Sequence, residues 1–183
     1  FVVYVGSAFT TALAAARLGV RTALVTMDPQ AAARMSCNPS IGGIAKSHMV
    51  FELDALGGEM ALNTDCTGIQ FRVLNRRKGP AVRANRVQCD KPAYSARMHA
   101  VLRAQENLTL IADQIEAVQV QNDRISGVFG QKSGFLKAKA VVLTAGTFLR
   151  GKIYVGKTVV SGGRLNEPSE DRLSLQLQDL GFR

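Results

Sequence analysis

The sequence predicts an α/β fold in which a parallel sheet is interrupted by an inserted antiparallel β-meander. Two continuous apolar runs, "FVVYV" and "VRTALVT", flank an alanine-rich stretch of helical period, and a group of short alternating runs separated by turn residues follows after Asn107. A buried strand, a helix and a second buried strand within about thirty residues form a βαβ unit, which implies parallel strands and a right-handed crossover.

Each element has its own local reason. In "SAFTTALAAARLG", Phe9, Ala12, Leu13 and Ala16 recur at helical spacing, and Gly19 supplies the C-terminal cap. Met49, Val50, Leu53 and Leu56 share one face of a second helix that Gly57 and Gly58 end. "GIQFRVL" alternates, with Ile69, Phe71 and Val73 inward and Gln70 and Arg72 outward, as a half-buried strand does. Asp90 is placed as an N-cap with Pro92 in the first turn, and Tyr94, Met98, Val101 and Leu102 line the inner side of the helix that follows. "LTLIA", "IEAVQV", "RISGVFG" and "FLKAKAVVLTAG", separated by "QND" and "QKSG", give a meander over residues 108–140. Ala140 to Thr144 is the return strand, and residues 141–183 begin a further segment with an amphipathic helix through Leu173, Leu177 and Leu180. The chain starts on a residue already inside a strand and stops directly after a helix, so both ends read as internal to a longer sequence.

Composition narrows the function classes. No apolar run reaches the ~20 residues that cross a bilayer, and "FVVYV" lacks the basic lead of a signal peptide, so an intracellular, reducing location is expected. The three cysteines offer neither a disulfide framework nor a Cys-x-x-Cys site, and His48 and His99 have no ligand-like neighbour in sequence, so no metal site is expected. The net charge is +9, and it is concentrated. Between Phe71 and Pro92 stand Arg72, Arg76, Arg77, Lys78, Arg83, Arg86 and Lys91 against the single acid Asp90. Such a strip is either a solvated loop or a surface that faces phosphates, whether of a nucleic acid or of a cofactor pyrophosphate. Beyond Phe71 no aromatic is interleaved, so stacking on bases is not signalled.

Two loops could hold a ligand. The first turn, "VGSAFTT", has Gly6 alone and no G-x-G-x-x-G pattern. The second, "MSCNPSIGGIAK", sets Cys37 before Gly42-Gly43 and the start of a helix, where backbone N–H groups and a partial positive charge favour a phosphate or a thiolate. From these residues alone Cys37 is a small buried hydrophobe, a nucleophile or a bystander in a phosphate-holding loop.

Three blocks, "RMSCNPSIGGIAKSHMVFELDALGGEMA", "TGIQFRVLNRRKGPAVRANRVQCDKPAY" and "AKAVVLTAGTFLRGKIYVG…SGGR", resemble the N-terminal third of the MnmG/GidA family, the flavoprotein subunit that modifies the wobble uridine of certain tRNAs. The resemblance covers almost the entire chain. It implies a glutathione-reductase-like FAD-binding Rossmann domain, incomplete at its C-terminus, within residues 1–183. It also implies an FAD-dependent enzyme that adds a carboxymethylaminomethyl-type group at uridine C5, with methylenetetrahydrofolate as carbon donor and NADH to reload the flavin. The implied partners are tRNA and a GTPase of the MnmE type, in a homodimer that enters a heterotetramer; the implied location is the cytoplasm, or the mitochondrion in a eukaryote. By the same resemblance Cys37 is the catalytic candidate, and Gly6, Gly42, Gly43, Ile115 and Ser169 are cofactor-binding candidates. Arg76, Arg77, Lys78, Arg83 and Arg86 of the basic strip are the nucleic-acid-binding candidates. The first turn departs from the family's run Gly-Gly-Gly-His-Ala-Gly, which predicts weakened FAD binding and little activity for the chain alone. The competing readings are a non-catalytic tRNA-binding or degenerate remnant module and, more remotely, a generic flavin oxidoreductase.

Overall fold

A computed structural model describes residues 1–6, 8–35, 38–163 and 167–182. From the N-terminus come β1 (Val2–Gly6), α1 (Phe9–Arg17), β2 (Thr22–Thr26), β3 (Ser40–Gly42), α2 (Lys46–Ala55), α3 (Met60–Thr67), β4 (Gly68–Leu74) and β5 (Ala84–Cys89). Then follow α4 (Lys91–Ala104), β6 (Leu108–Ala112), β7 (Ile115–Gln121), β8 (Arg124–Gly130), β9 (Gly134–Lys137), β10 (Ala140–Thr144), β11 (Lys152–Val155), β12 (Thr158–Ser161) and α5 (Arg172–Asp179). They fall into two units, one made of Phe1–Ala8, Arg21–Pro29 and Thr109–Arg183, the other of Phe9–Val20 and Gln30–Leu108.

The first unit is built on a four-stranded sheet in the order β10-β1-β2-β6, with β1 parallel to both β10 and β2. Strands β7, β8 and β9 form the antiparallel meander, and Val3, Val5, Ala23 and Val25 of the first sheet share one core with Ile115, Val118 and Val128 of the second. Leu173 of α5 closes this core at 1% exposure, with Leu177 packed beside it, as the helical spacing predicts; Leu180 falls just past the helix and is exposed. The Gln176 side chain imitates a neighbouring strand: its Oε1 accepts from Val118 N–H at 2.7 Å and its Nε2 donates to Val118 O at 2.8 Å. The β7–β8 turn has Asn122 and Asp123 both at positive φ, the pairing that matches a hairpin's right-handed twist. Asp113 locks the next turn, accepting from Ser133 N–H at 2.8 Å and Lys132 N–H at 3.1 Å.

Leu108–Ala112 is corrected. Read from sequence as the first meander strand, it is instead β6, the edge strand beside β2, and Asp113 N–H continues toward that sheet by donating to Thr26 O at 3.0 Å. A short apolar run declares that it is a strand without declaring its neighbour, which a pairing across more than eighty residues decides here. The run "KIYVGKTVVS", given no structure from sequence, is the β11–β12 hairpin.

In the second unit β3, β5 and β4 form an antiparallel sheet in that order, with α1, α2, α3 and α4 in the same unit. Asp90 caps α4 by accepting from Ala93 N–H at 2.9 Å, and Tyr94, Met98 and Leu102 are buried, as the pattern required. Gly19 ends α1 at φ +80. The face assigned to α2 is corrected: Met49 and Leu56 are exposed, and the inward side runs through Ser47, Val50 and Leu53. The phase of β4 is right, since Phe71 is paired with the buried Val87, but β4 is an edge strand and Phe71 remains 60% exposed. Ile69 sits at a register irregularity between Gly68 and Gln70 and is exposed as well.

The helices of this unit are joined by one carboxylate. Glu59, 2% exposed, accepts from Arg97 Nη1 at 2.6 Å and is paired with Arg17, which also donates to Gly57 O at 2.7 Å. Burial by itself would raise the Glu59 pKa, but hydrogen bonds and charge from Arg17 and Arg97 outweigh it and hold it below the ordinary carboxylate range. A lowered folded pKa gives stability that is present above the unfolded value and lost as pH falls through the folded one. Glu59→Gln is therefore expected to cost about 1.5–3 kcal/mol in urea unfolding at neutral pH. The gap to the unaltered chain should close in melts below roughly pH 4.

Candidate functional site

The basic strip folds into a hairpin. Arg72 lies on β4 and Arg86 on β5, directly opposite each other, while Arg76, Arg77, Lys78 and Arg83 stand exposed on the connection between the strands. That connection turns at Asn75, whose φ is +56 and whose Nδ2 donates to Val82 O at 3.1 Å. Alternation divides the sheet into two chemistries. Ile41, Val87 and Cys89 face a cluster with Tyr94, Ala33 and Met35. The opposite face presents Ser40, Gln70, Arg72, Arg86 and Gln88, which with Asn38 and Leu74 line an open cavity of about 330 Å³. Arg86 was among the residues selected from sequence. Arg72, Gln70, Gln88, Asn38 and Ser40 were not, and the alternation of "GIQFRVL" against "ANRVQC" was the available signal, legible only once the pairing register is known.

The glycine pair of the second loop turns the chain from β3 into α2. Gly42 has φ +89, and a Cβ there would collide with Asn85 O, so the position demands glycine. Gly43 N–H donates to Asn85 O at 2.7 Å and Gly43 O accepts from Ser47 N–H at 3.0 Å, so the Gly43 amide is engaged within the unit. Ser47 Oγ and His48 Nδ1 are buried beside this turn without a hydrogen-bond partner among the described residues. Cys37 lies outside the described residues; its described neighbours in sequence are Met35, packed on the Val87–Cys89–Tyr94 cluster, and Asn38, which lines the polar cavity. Of the other two thiols, Cys66 is exposed, whereas Cys89 is buried and its pKa is pushed up by desolvation, with Thr67 and Thr64 hydrogen bonds opposing, which makes it inert as a nucleophile.

In the first unit Gly6 ends β1 at φ +111, where a Cβ would come within 2.5 Å of Thr144 O on β10. Thr144 Oγ1 in turn donates to Val5 O at 3.0 Å, which fastens the carboxyl ends of these strands together. In open α/β sheets this carboxyl edge is where ligands sit. Ile115 is 2% exposed with its side chain in the core, so only its main chain is available to a ligand. Ser169 is half-buried, with its Oγ 2.8 Å from Ser161 Oγ and donating to Asp171 Oδ1 at 3.1 Å. No hydrogen bond among the described residues joins Gly6, Ile115 and Ser169 to one another.

Residues 4–183 match the family model described as glucose inhibited division protein A. The chain belongs to this family. It is 52% identical over 171 residues to the tRNA uridine 5-carboxymethylaminomethyl modification enzyme MnmG of Geobacter sulfurreducens and 53% identical over 172 residues to that of Pelobacter propionicus. These matches cover 93% and 94% of this chain and 27% of each relative, so the chain spans about a quarter of their length. The GidA structure from Aquifex aeolicus superposes on all of it with a TM-score of 0.94 at 45% identity, over 31% of that protein. The expected Rossmann-like α/β arrangement with added antiparallel sheets is thereby that of a GidA-family protein.

The close approach of β1 to β10 gives a direct test. Gly6→Ala is expected to destabilise the chain by about 1–3 kcal/mol from backbone strain alone, before the collision with Thr144 O is counted. Chemical denaturation measures the loss, and a Gly19→Ala variant, at positive φ with open space around it, should lose less.

Proposed function

We propose that this chain is the N-terminal part of an enzyme that modifies the wobble uridine of tRNA at C5, adding a carboxymethylaminomethyl-type group. The observation that carries the reading is the identity of about half of all positions, across more than nine-tenths of the chain, with relatives named for that modification. On this reading residues 1–183 are part of an FAD-binding domain, with β7–β9 contributing the meander and β10 the return strand before the segment that follows it. Gly6 at the carboxyl end of β1 excludes a side chain from the strand edge, which suits FAD, and the short first turn predicts that this chain holds it weakly.

Gly6, the Ile115 main chain and Ser169 of the first unit are assigned to the flavin; Gly42 and Gly43 of the second unit are further candidates, through groups other than the Gly43 N–H that Asn85 O engages. When bound, FAD supplies the redox step of the modification, with NADH as its reductant. Cys37 is assigned the nucleophile: its thiolate adding to uracil C6 forms the S–C6 bond and places an electron pair at C5. That carbon can then attack the methylene carbon of methylenetetrahydrofolate as one of its two C–N bonds breaks with the electron pair going to nitrogen; loss of the C5 proton and expulsion of the thiolate restore the ring with the one-carbon unit on C5. Arg76, Arg77, Lys78, Arg83 and Arg86 are assigned to tRNA phosphates. The partner is a GTPase of the MnmE type, the assembly a homodimer within a heterotetramer, and the location the cytoplasm.

A chimera tests the whole reading. Residues 4–183 replacing the matching segment of the Geobacter sulfurreducens relative should restore the modified wobble nucleoside, read by mass spectrometry of tRNA digests from cells lacking the native enzyme. Cys37→Ala in that chimera should abolish the product while leaving the yield of folded protein unchanged. A folded chimera that binds tRNA and never forms the modified nucleoside would favour the non-catalytic tRNA-binding module instead.

A further inference from the structure

We propose that Arg72 and Arg86 form a clamp for one phosphodiester of an unpaired RNA strand, seated on the polar face of the β3–β5–β4 sheet. The proposal rests on the RNA-modifying reading above and assigns the groove in which the substrate's backbone is held. Arg72 and Arg86 are cross-strand partners on an antiparallel pair. Like charges placed so are unfavourable in themselves. Other arginines of this unit resolve the same problem internally, Arg17 and Arg97 both meeting the buried Glu59. Arg72 and Arg86 do not: among the described residues neither is paired with a carboxylate and no acid lines their cavity. An oxyanion between two guanidinium forks would turn this repulsion into two charge-assisted contacts.

The surroundings indicate which oxyanion. Gln70 and Gln88 form the next cross-strand pair on the same face, and Ser40 is paired with Gln88 from the other side. Ser40 Oγ donates to Asn38 Oδ1 at 3.0 Å, which leaves the Asn38 amide nitrogen free to turn into the cavity. Primary amides offer a donor and an acceptor together, the pattern that reads the edge of a base. In duplex RNA the pairing edge is occupied and the deep, narrow A-form major groove keeps side chains from the other edge, so the amides select an unpaired strand. Among the described residues of the lining only Leu74 is apolar. Beyond the groove the same hairpin carries Arg76, Arg77, Lys78 and Arg83, all exposed, which extends the positive surface along a polyanion and not around a single small anion.

The test uses the 183-residue chain and a short fluorescently labelled single-stranded RNA, with binding followed by anisotropy across a salt series. Arg72→Gln and Arg86→Gln are each expected to weaken binding about tenfold and to reduce the salt slope by about 0.7. Arg72→Lys should keep the slope and recover only part of the affinity, because an ammonium cannot fork. Thermal melts of both glutamine variants should not fall, since each removes a like-charge opposition. Competition by inorganic phosphate and by glutarate separates a phosphate from a carboxylate clamp. Glutarate binding that depends on both arginines, with RNA binding indifferent to them, overturns the proposal. So do a preference for a duplex of equal length, slopes unchanged in both glutamine variants, or no RNA binding by the unaltered chain. The two readings fail separately: a chimera that modifies tRNA equally well with Arg72→Gln and Arg86→Gln removes the clamp and leaves the function, and an inactive chimera whose RNA binding depends on both arginines does the reverse.

Discussion

The arrangement of the first unit depends on β1 being hydrogen-bonded on both sides, to β2 soon after it in sequence and to β10 more than a hundred residues later. Parallel neighbours cannot be joined by a tight turn, so every residue between β2 and β10 must be accommodated as a crossover. The chain uses that length to form the second unit and the meander. The β1–β10 contact is also the point of least tolerance, because Gly6 must approach Thr144 O closely enough to exclude a Cβ. A long-range pairing of this kind is costly in loop entropy and is repaid only when the shared core of Val3, Val5, Val25, Ile115 and Val128 closes over it.

Within the second unit charge is handled in two opposite ways. Glu59 satisfies Arg17 and Arg97 in a largely dry setting, with Asn63 adding a hydrogen bond to Tyr94 O at 2.9 Å and accepting from Arg97 at 3.2 Å. Breaking such a network leaves desolvated charge behind, so it fixes how α1, α3 and α4 meet. On the open face of the sheet Arg72 and Arg86 are left facing each other with amide neighbours and, among the described residues, no acid. A surface selected only for folding stability would place an acid across from one of them, since opposite-charge pairs stabilise a ladder and like-charge pairs do not. The residual repulsion is therefore informative about ligands, whereas the Glu59 network is informative about folding.

Much of the architecture was legible in local patterns. The Asp90 cap, the Gly19 terminus, the βαβ opening, the three meander strands and the buried side of α4 all rest on interactions within a few residues, which a sequence displays directly. The failures share a cause. Leu108–Ala112 looked like a meander strand and is an edge of the other sheet; Met49 and Leu56 looked like an inner face and are exposed; Phe71 has the right phase yet lies on an edge strand. In each case local pattern gave the element, and a partner distant in sequence decided its neighbour or its burial.

By itself the sequence determined the α/β class, the family, the concentration of charge between Arg72 and Lys91 and the loop that carries Cys37, because these reside in composition and in contiguous motifs. Only the tertiary structure decided that Arg72 stands opposite Arg86, that Gln70 and Gln88 flank them, and that the Gly43 amide is engaged by Asn85. The reason is register: a strand's side chains alternate with a period of two, so a slip of one residue would have sent both arginines to the opposite face. That choice is made by pairing between strands and is written in neither strand alone.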